Sequence, residues 1–220
     1  MTLDHAAFVR ANTTILSPPL VPEIRLHLAH GALPIWQKTE NELGETGLPP
    51  PFWAFAWAGG QALARYVLDT PLTVLGKHVV ELASGSGLVG ITAMKAGAAS
   101  VLSADIDAFS VAAIEVNAAL NNVLLVVTSK DLLAGAVPDA DVILVGDLFY
   151  ERCVAERCLS WLERAQADGI EVLIGDPGRS YLPKGRLVKV KSENFTGQFL
   201  LLRFESPYRR ALDFCVFQIA

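Results

Sequence analysis

Sulfur and imidazole are scarce in this chain: three cysteines, two methionines and four histidines among 220 residues. Cys153, Cys158 and Cys215 are an odd set without metal-ligand spacing. They exclude a disulfide framework and a zinc site, and read as reduced thiols of a cytosolic protein. His5, His27, His30 and His78 form no metal or triad pattern, so each is expected to be structural and no metal is expected. No apolar run approaches the ~18 residues of a membrane span. The opening Met1-Thr2-Leu3-Asp4-His5 lacks the basic start and apolar core of a secretory signal. Neither charge sign dominates. With 18 Lys+Arg against 23 Asp+Glu, the net charge of −5 argues against general nucleic-acid binding. Internal repeats and low-complexity tracts are also missing.

What is abundant is apolar side chain, 52% of the residues, with a mean hydropathy of +0.38. That suits one α/β domain whose central strands are buried on both faces. From Lys77 onward the pattern alternates. Strands are predicted at 78–83, 100–104, 123–128, 141–146 and 170–175, and helices at 88–97, 108–121 and 151–167, after an earlier helix from Gln61 to Leu68. Such alternation makes a mostly parallel sheet. The tail changes character. Arg186 to Lys191 alternates, Phe199 to Phe204 is an apolar run, and Leu212 to Ile219 alternates loosely, which predicts an antiparallel addition at the sheet edge. Residues 1–50 read as an N-terminal extension packed on the core. Within it Pro22-Glu23-Ile24-Arg25-Leu26 predicts a helix start, Gln37 to Gly47 is polar, and Pro49-Pro50-Pro51 is extended.

The most informative stretch is Glu81-Leu82-Ala83-Ser84-Gly85-Ser86-Gly87, lying between the run His78-Val79-Val80 and a helical segment from Leu88. Strand, glycine turn and helix follow in that order. The next strand, Val101-Leu102-Ser103, leads to Asp105, an acid placed to hold ribose hydroxyls. The dinucleotide fingerprint G-x-G-x-x-G is absent, which excludes NAD as the expected ligand. Glu81 at the strand end would repel a pyrophosphate. It suits a ligand with a cationic amine.

In open α/β sheets, ligands sit at the carboxyl ends of the strands. Every predicted parallel strand ends at or near an acid: Glu81, Asp105, Asp131, Asp147 and Asp176. Singly, each could be a cap or turn former. Jointly, on one rim, they mark a polar site. Asp105 reads as the ribose ligand and Asp107 as the cap of the next helix, while Asp131 divides between a site role and a surface turn. Trp53 reads as core. Trp57 precedes Gly59-Gly60, where backbone can approach a ligand, and its indole could face a cation. Phe149 and Tyr150 could flank a narrow channel.

These residues resemble the class I S-adenosylmethionine-dependent methyltransferases, and among them the seven-β-strand protein-lysine methyltransferases. That family's acid-x-x-aromatic motif is matched by Asp147-Leu148-Phe149-Tyr150. The match is closer still to the electron-transfer-flavoprotein β-subunit lysine methyltransferases. Pro22-Glu23-Ile24, the segment Pro51 to Leu63 around Trp53 and Trp57, Gly146 to Tyr150, and Gly175-Asp176-Pro177-Gly178-Arg179 all correspond. The likeness runs from about residue 20 to about residue 180.

The resemblance implies a Rossmann-like seven-stranded sheet with an antiparallel edge hairpin, residues 51–220 forming the methyltransferase domain. It implies transfer of methyl from S-adenosylmethionine to a lysine ε-amine, leaving S-adenosylhomocysteine, on the β subunit of electron transfer flavoprotein. Trp57, Glu81, Ala83, Ser84, Gly85, Gly87, Asp105, Ile106, Asp131 and Leu132 would hold the cofactor. Asp147 and Tyr150 would be catalytic, and Phe149 and Arg179 would meet the substrate. Arg179 has two readings, a pair with a substrate carboxylate or a brace on an acid such as Asp176. One departure is Ala83, where the family pattern has glycine. The lack of a mitochondrial presequence suggests a bacterial member acting in the cytoplasm. Two other functions fit the same cofactor site: a small-molecule N-methyltransferase, and a cofactor-bound scaffold that regulates a partner. Leu148-Phe149 in place of two prolines weighs against methylation of a nucleic-acid base or a glutamine.

Overall fold

The computed structural model describes residues 4–30, 35, 37, 50–195 and 212–219. Its centre is a seven-stranded sheet in the order β5-β4-β3-β6-β7-β9-β8. The strands are β3 (His78–Leu82), β4 (Ser100–Ala104), β5 (Val126–Thr128), β6 (Val142–Gly146), β7 (Glu171–Asp176), β8 (Leu187–Phe195) and β9 (Leu212–Ile219). β3 to β7 are parallel, and β9 joins β7 antiparallel before pairing antiparallel with β8. This is the Rossmann-like α/β sheet with an antiparallel edge hairpin. The chain winds outward from β3 to β5, then returns to lay β6 on the other side of β3. The carboxyl ends of β3, β4 and β6 therefore face a switch point, where such sheets leave a crevice.

Local chemistry accounts for the elements. Val142, Ile143, Leu144 and Val145 of β6 are all buried, the run expected of a strand covered on both faces. α2 (Ala58–Asp69) and α3 (Leu88–Lys95) cover one face with Leu63, Val67, Val89 and Ala93. α4 (Ala108–Leu120) starts at Asp107, whose carboxylate accepts the Phe109 N–H. α5 (Arg152–Ala167) turns Ala155, Cys158, Leu162 and Ala165 to the other face, a stripe at helical spacing. Before the sheet come α1 (His5–Asn12), β1 (Thr14–Leu16) and β2 (Leu26–Leu28). Phe8 and Val9 of α1 pack with Trp53, Phe109 and Ala113, so this described part of the first fifty residues lies against α4.

Two sequence expectations need correction and two fall outside the described residues. Pro22 to Leu26 does not begin a helix. Turns at Pro18–Val21 and Val21–Ile24 lead into β2, antiparallel to β1. Ile24, Leu26 and Leu28 are buried at a period of two, and Asn121 and Asn117 accept the Arg25 and His27 N–H groups. Alternating burial and side-chain partners for the backbone outweigh the N-terminal proline signal. β5 starts at Val126 rather than at 123. The Val123 N–H is taken by Ala118 at the end of α4, and Leu124 points outward, 88% exposed. The apolar run 199–204 and the polar stretch 38–47 lie outside the described residues.

Candidate active site

The turn after β3 begins with Ala83 at φ 52, then Gly85 at φ 52 and Gly87 at φ 78, the last opening α3. Left-handed backbone at Gly85 and Gly87 costs nothing, whereas Ala83 carries a Cβ into that region. Ser84 ties the turn to β4 through its N–H to the Ala104 carbonyl at 3.1 Å. Its hydroxyl donates to the Glu81 carbonyl, also at 3.1 Å. Asp105 completes the cradle. One carboxylate oxygen accepts the Gly85 N–H at 2.8 Å and the other the Asp107 N–H at 3.0 Å. Burial pushes the Asp105 carboxyl above its ordinary value, against those two hydrogen bonds.

Glu81 is 2% exposed. Its carboxylate accepts the Ser103 hydroxyl at 2.7 Å and N–H groups of Gly90 and Val89 in the first turn of α3. Burial pushes it up to about 7, opposed by those bonds. Together with Trp57, Gly60, Ala83, Gly85 and Gly146 it lines a small hollow of about 40 Å³ at the strand ends. A larger hollow, about 280 Å³, lies among His78, Ser100 and Val126 at the amino ends of β3 to β5. The smaller one is the candidate site, because ligands of such sheets bind at the carboxyl ends and the acids converge there.

Asp147 follows β6 with φ 60, a left-handed conformation unusual for a residue with a side chain. It is 6% exposed. One oxygen accepts the Gly59 N–H from the start of α2. The other meets Nε and a terminal nitrogen of Arg179, each at 2.6 Å. Burial raises its pKa, with the Arg179 charge and the Gly59 N–H acting against that rise. The guanidinium lies 5.8 Å from the centre of the Trp57 ring. Trp57 is fixed by its indole N–H to the Phe52 carbonyl at 2.8 Å. Phe52 and Phe55 stand edge-on to Trp57 at 5.8 Å each, and Phe52 meets Tyr150 at 5.3 Å. The result is an aromatic wall beside a buried carboxylate. Asp176, fully buried at the end of β7, accepts the Gly178 and Arg179 N–H groups on one oxygen, each at 2.7 Å. Burial pushes it up to about 6, with Asp147 adding to the rise.

The fold thus brings Trp57, Glu81, Ala83, Ser84, Gly85, Gly87, Asp105, Asp147, Tyr150 and Arg179 to one rim. The expectations for Phe149, Arg179 and Gly59 change. Phe149 does not line a channel. It is 0% exposed, packed in the core beneath α5 with Trp161 and Leu182, because the turn after Asp147 points it inward and Tyr150 outward. Arg179 does not brace Asp176 with its side chain; that side chain is on Asp147, and only its backbone N–H serves Asp176. Gly59 gives its close approach to backbone rather than to a ligand, facing Gly175 across α2 and β7. Asp131 caps the turn at Leu133 and pairs with Arg157 of α5 at 2.6 Å, while Leu132 rests against the core cluster there. Ile106, beside Asp105, is 72% exposed. Phe52 was not singled out from the sequence. Nothing in a linear pattern joins it to Tyr150, 98 positions on. Among the described residues no His, Cys, Asp and Glu cluster is placed to hold a metal. None of the described helices is long and apolar enough to cross a membrane.

A glycine turn at a switch point, with an acid on the neighbouring strand end, defines an α/β nucleoside-binding protein of the methyltransferase type. Solved structures agree on the fold. A putative RNA methyltransferase from Pyrococcus horikoshii superimposes with TM-score 0.54 at 14% identity, covering 84% of this chain and 96% of that one. The tRNA (uracil-54, C5)-methyltransferase of Pyrococcus abyssi, in complex with S-adenosyl-L-homocysteine, gives 0.53 at 16% identity over 73% of this chain and 38% of that one. A family model described as lysine methyltransferase matches residues 31–183. The electron transfer flavoprotein beta subunit lysine methyltransferase of Xenopus laevis is 39% identical over 79% of this chain and 70% of its own. The Caenorhabditis elegans homolog of that enzyme is 33% identical over 87% and 84%. The chain belongs to the lysine methyltransferase family, whose cofactor is S-adenosylmethionine. The turn fits that cofactor: a Cβ added at Gly85 would meet only the Phe52 carbonyl, at 3.9 Å, so the turn is open to a ligand.

Proposed function

We propose that this protein transfers methyl groups from S-adenosylmethionine to lysine ε-amines of the β subunit of electron transfer flavoprotein. One observation carries the reading. A nearly buried carboxylate, Asp147, stands beside an aromatic wall and adjoins the glycine-turn hollow through Gly146. A methyl donor on one side and an alkylammonium on the other is what that arrangement accommodates. The relatives named above support the protein substrate. The net charge of −5 favours a protein over a nucleic acid. The site of action in this reading is the cytoplasm, a reducing compartment that suits the free thiols of Cys153 and Cys158.

The cofactor sulfonium supplies an activated methyl group. The remaining work belongs to the protein. Asp105 and the turn from Ala83 to Gly87 would hold the cofactor, with Trp57 walling the hollow beside them. The lysine amine must be unprotonated when it attacks. From a free pKa of about 10.4, that costs on the order of 4–5 kcal/mol at pH 7. Desolvation against Trp57, Phe52 and Tyr150 lowers the cost. Asp147 accepts a hydrogen bond from the amine and so aims its lone pair, and Tyr150, a half-exposed residue on the rim, steadies it. No residue is assigned as a dedicated base; the proton leaves to water.

The test is transfer of labelled methyl to purified β subunit, comparing the protein with Asp147→Asn. Asparagine keeps an acceptor for the Gly59 N–H but loses the charge. Transfer should fall by about 100-fold or more, with cofactor affinity nearly unchanged by calorimetry. Full turnover by the variant, or a lack of label in the β subunit with the parent, defeats the proposal.

A further inference from the structure

Asp147 is already satisfied. One oxygen holds the Gly59 N–H with that of Gly60 beside it, and the other takes two guanidinium nitrogens, so a substrate amine gains a full pairing on it only by displacing Arg179. The cation that fills the place is placed as a substrate cation would be. Arg179 sits on the buried carboxylate at 2.6 Å and 5.8 Å from the Trp57 ring centre, the two contacts that recognise an alkylammonium. Its side chain is 31% exposed, open to displacement from the solvent side, while the Asp147 side chain is buried.

The charge balance points the same way. Asp147 and Asp176 end adjacent strands and repel each other, with Arg179 acting on both. Two acids share one cation. The second oxygen of Asp176 is buried and has no hydrogen-bond partner among the described residues. Buried polar atoms are rarely left so. With both acids ionised, two carboxylates and one guanidinium leave the cluster one cation short.

Resting on the lysine reading above, we propose that Arg179 occupies the acceptor subsite as a resident counter-ion. The incoming lysine takes Asp147 from it, and the guanidinium passes to the unpartnered oxygen of Asp176. Both acids are then paired. The subsite admits only groups able to compete with a guanidinium for Asp147, which selects a cationic side chain over neutral ones. Arg179 is thus a specificity residue, and neither a clamp on a substrate carboxylate nor a passive brace.

Two variants test this. Arg179→Lys puts an ε-amine where the substrate nitrogen belongs. With S-adenosylmethionine, and without any protein substrate, position 179 should gain methyl by mass spectrometry. The N–C bond forms as the C–S bond breaks, S-adenosylhomocysteine leaves, and the proton goes to water. Adding Asp147→Asn should suppress the gain. Arg179→Gln removes the competitor. Its KM for the β subunit should fall by roughly fivefold or more, the scale expected when an occupied state no longer taxes binding, with cofactor affinity unchanged. An Arg179→Lys protein that binds the cofactor normally yet gains no methyl overturns the inference. So does a KM that stays or rises in Arg179→Gln, which reads directly even if the lysine variant fails to fold. The two proposals fail separately. Methyl gained at position 179, with none on the β subunit from the parent, would sink the substrate reading alone. Normal β-subunit methylation with an inert position 179 would sink only the exchange.

Discussion

Alanine at Gly59 and alanine at Gly60 should have opposite effects, although the two glycines are neighbours on one helix. A Cβ on Gly59 would lie 2.7 Å from the Gly175 carbonyl carbon, nearer still to its oxygen, and 2.9 Å from an Asp147 oxygen. Ordinary contact begins at 3.4 Å. Gly175 is backbone of β7, paired to β6 on one side and β9 on the other, so it cannot give. The start of α2 must retreat instead, by roughly 1 Å. Overpacking of this kind costs about 1–3 kcal/mol. The retreat also pulls the Gly59 N–H off a buried carboxylate, a hydrogen bond worth about 1.5–3 kcal/mol. A net loss of about 3 kcal/mol is expected, since the helix recovers part of both terms by tilting. In a chain of this size each kcal/mol moves Tm by about 2–4 °C, so Gly59→Ala should melt roughly 6–12 °C lower. At Gly60 a Cβ would meet only Val89 Cγ2, at 3.9 Å. There alanine gains helix propensity, about 0.5 kcal/mol near a helix start, and Tm should rise by about 1–2 °C. Circular-dichroism melts of the two single variants decide the matter, with methyl transfer as a second reading because Asp147 moves only in the first. A Gly59→Ala protein that melts with the parent, or equal losses in both variants, would refute the close approach of α2 to β7.

Ala83→Gly should stabilise by about 0.5 kcal/mol: relief of the φ 52 conformation exceeds the chain entropy that glycine adds, and urea titration would show it. A clear loss would mean the methyl contributes more by packing than it costs in strain. Glu81 is raised from 4.5 to about 7, so folding takes up a proton there. Its contribution is full below pH 4.5 and is lost as pH rises through about 7, amounting to about 3 kcal/mol. Glu81→Gln should remove that slope, and urea unfolding at about pH 5 and pH 8 with parallel behaviour of the two proteins would exclude it. Asn117 is fully buried and bonds the His27 N–H at 2.7 Å and the Ser86 carbonyl at 2.8 Å. Asn117→Ala should cost about 1–3 kcal/mol by leaving the buried Ser86 carbonyl and the half-buried His27 N–H without this partner; a variant as stable as the parent would mean water replaces the side chain.

Much of the fold is legible in the chain order. Apolar runs of strand length alternate with helical stripes, so the five parallel strands and the helices between them follow from local periodicity. The glycine turn and Asp105 are legible for the same reason. A tight turn at a strand end needs glycine, an acid at the end of the next strand falls on the same rim, and both are short-range demands that a linear pattern records. The family resemblance added expected roles for Asp147 and Tyr150 without their geometry. Tertiary structure decided the rest, wherever the partners are far apart in sequence. Phe149 and Tyr150 are adjacent aromatics, and only the turn after Asp147 sends one into the core and the other to the rim. Pro22 to Leu26 carries a helix-start signal that yields to Asn117 and Asn121, some 90 positions on, which hold the segment as a strand. Gly59 meets Asp147 across 88 residues, and Arg179 meets it across 32. No local propensity encodes such contacts, because their energies exist only once the sheet has brought the strand ends together.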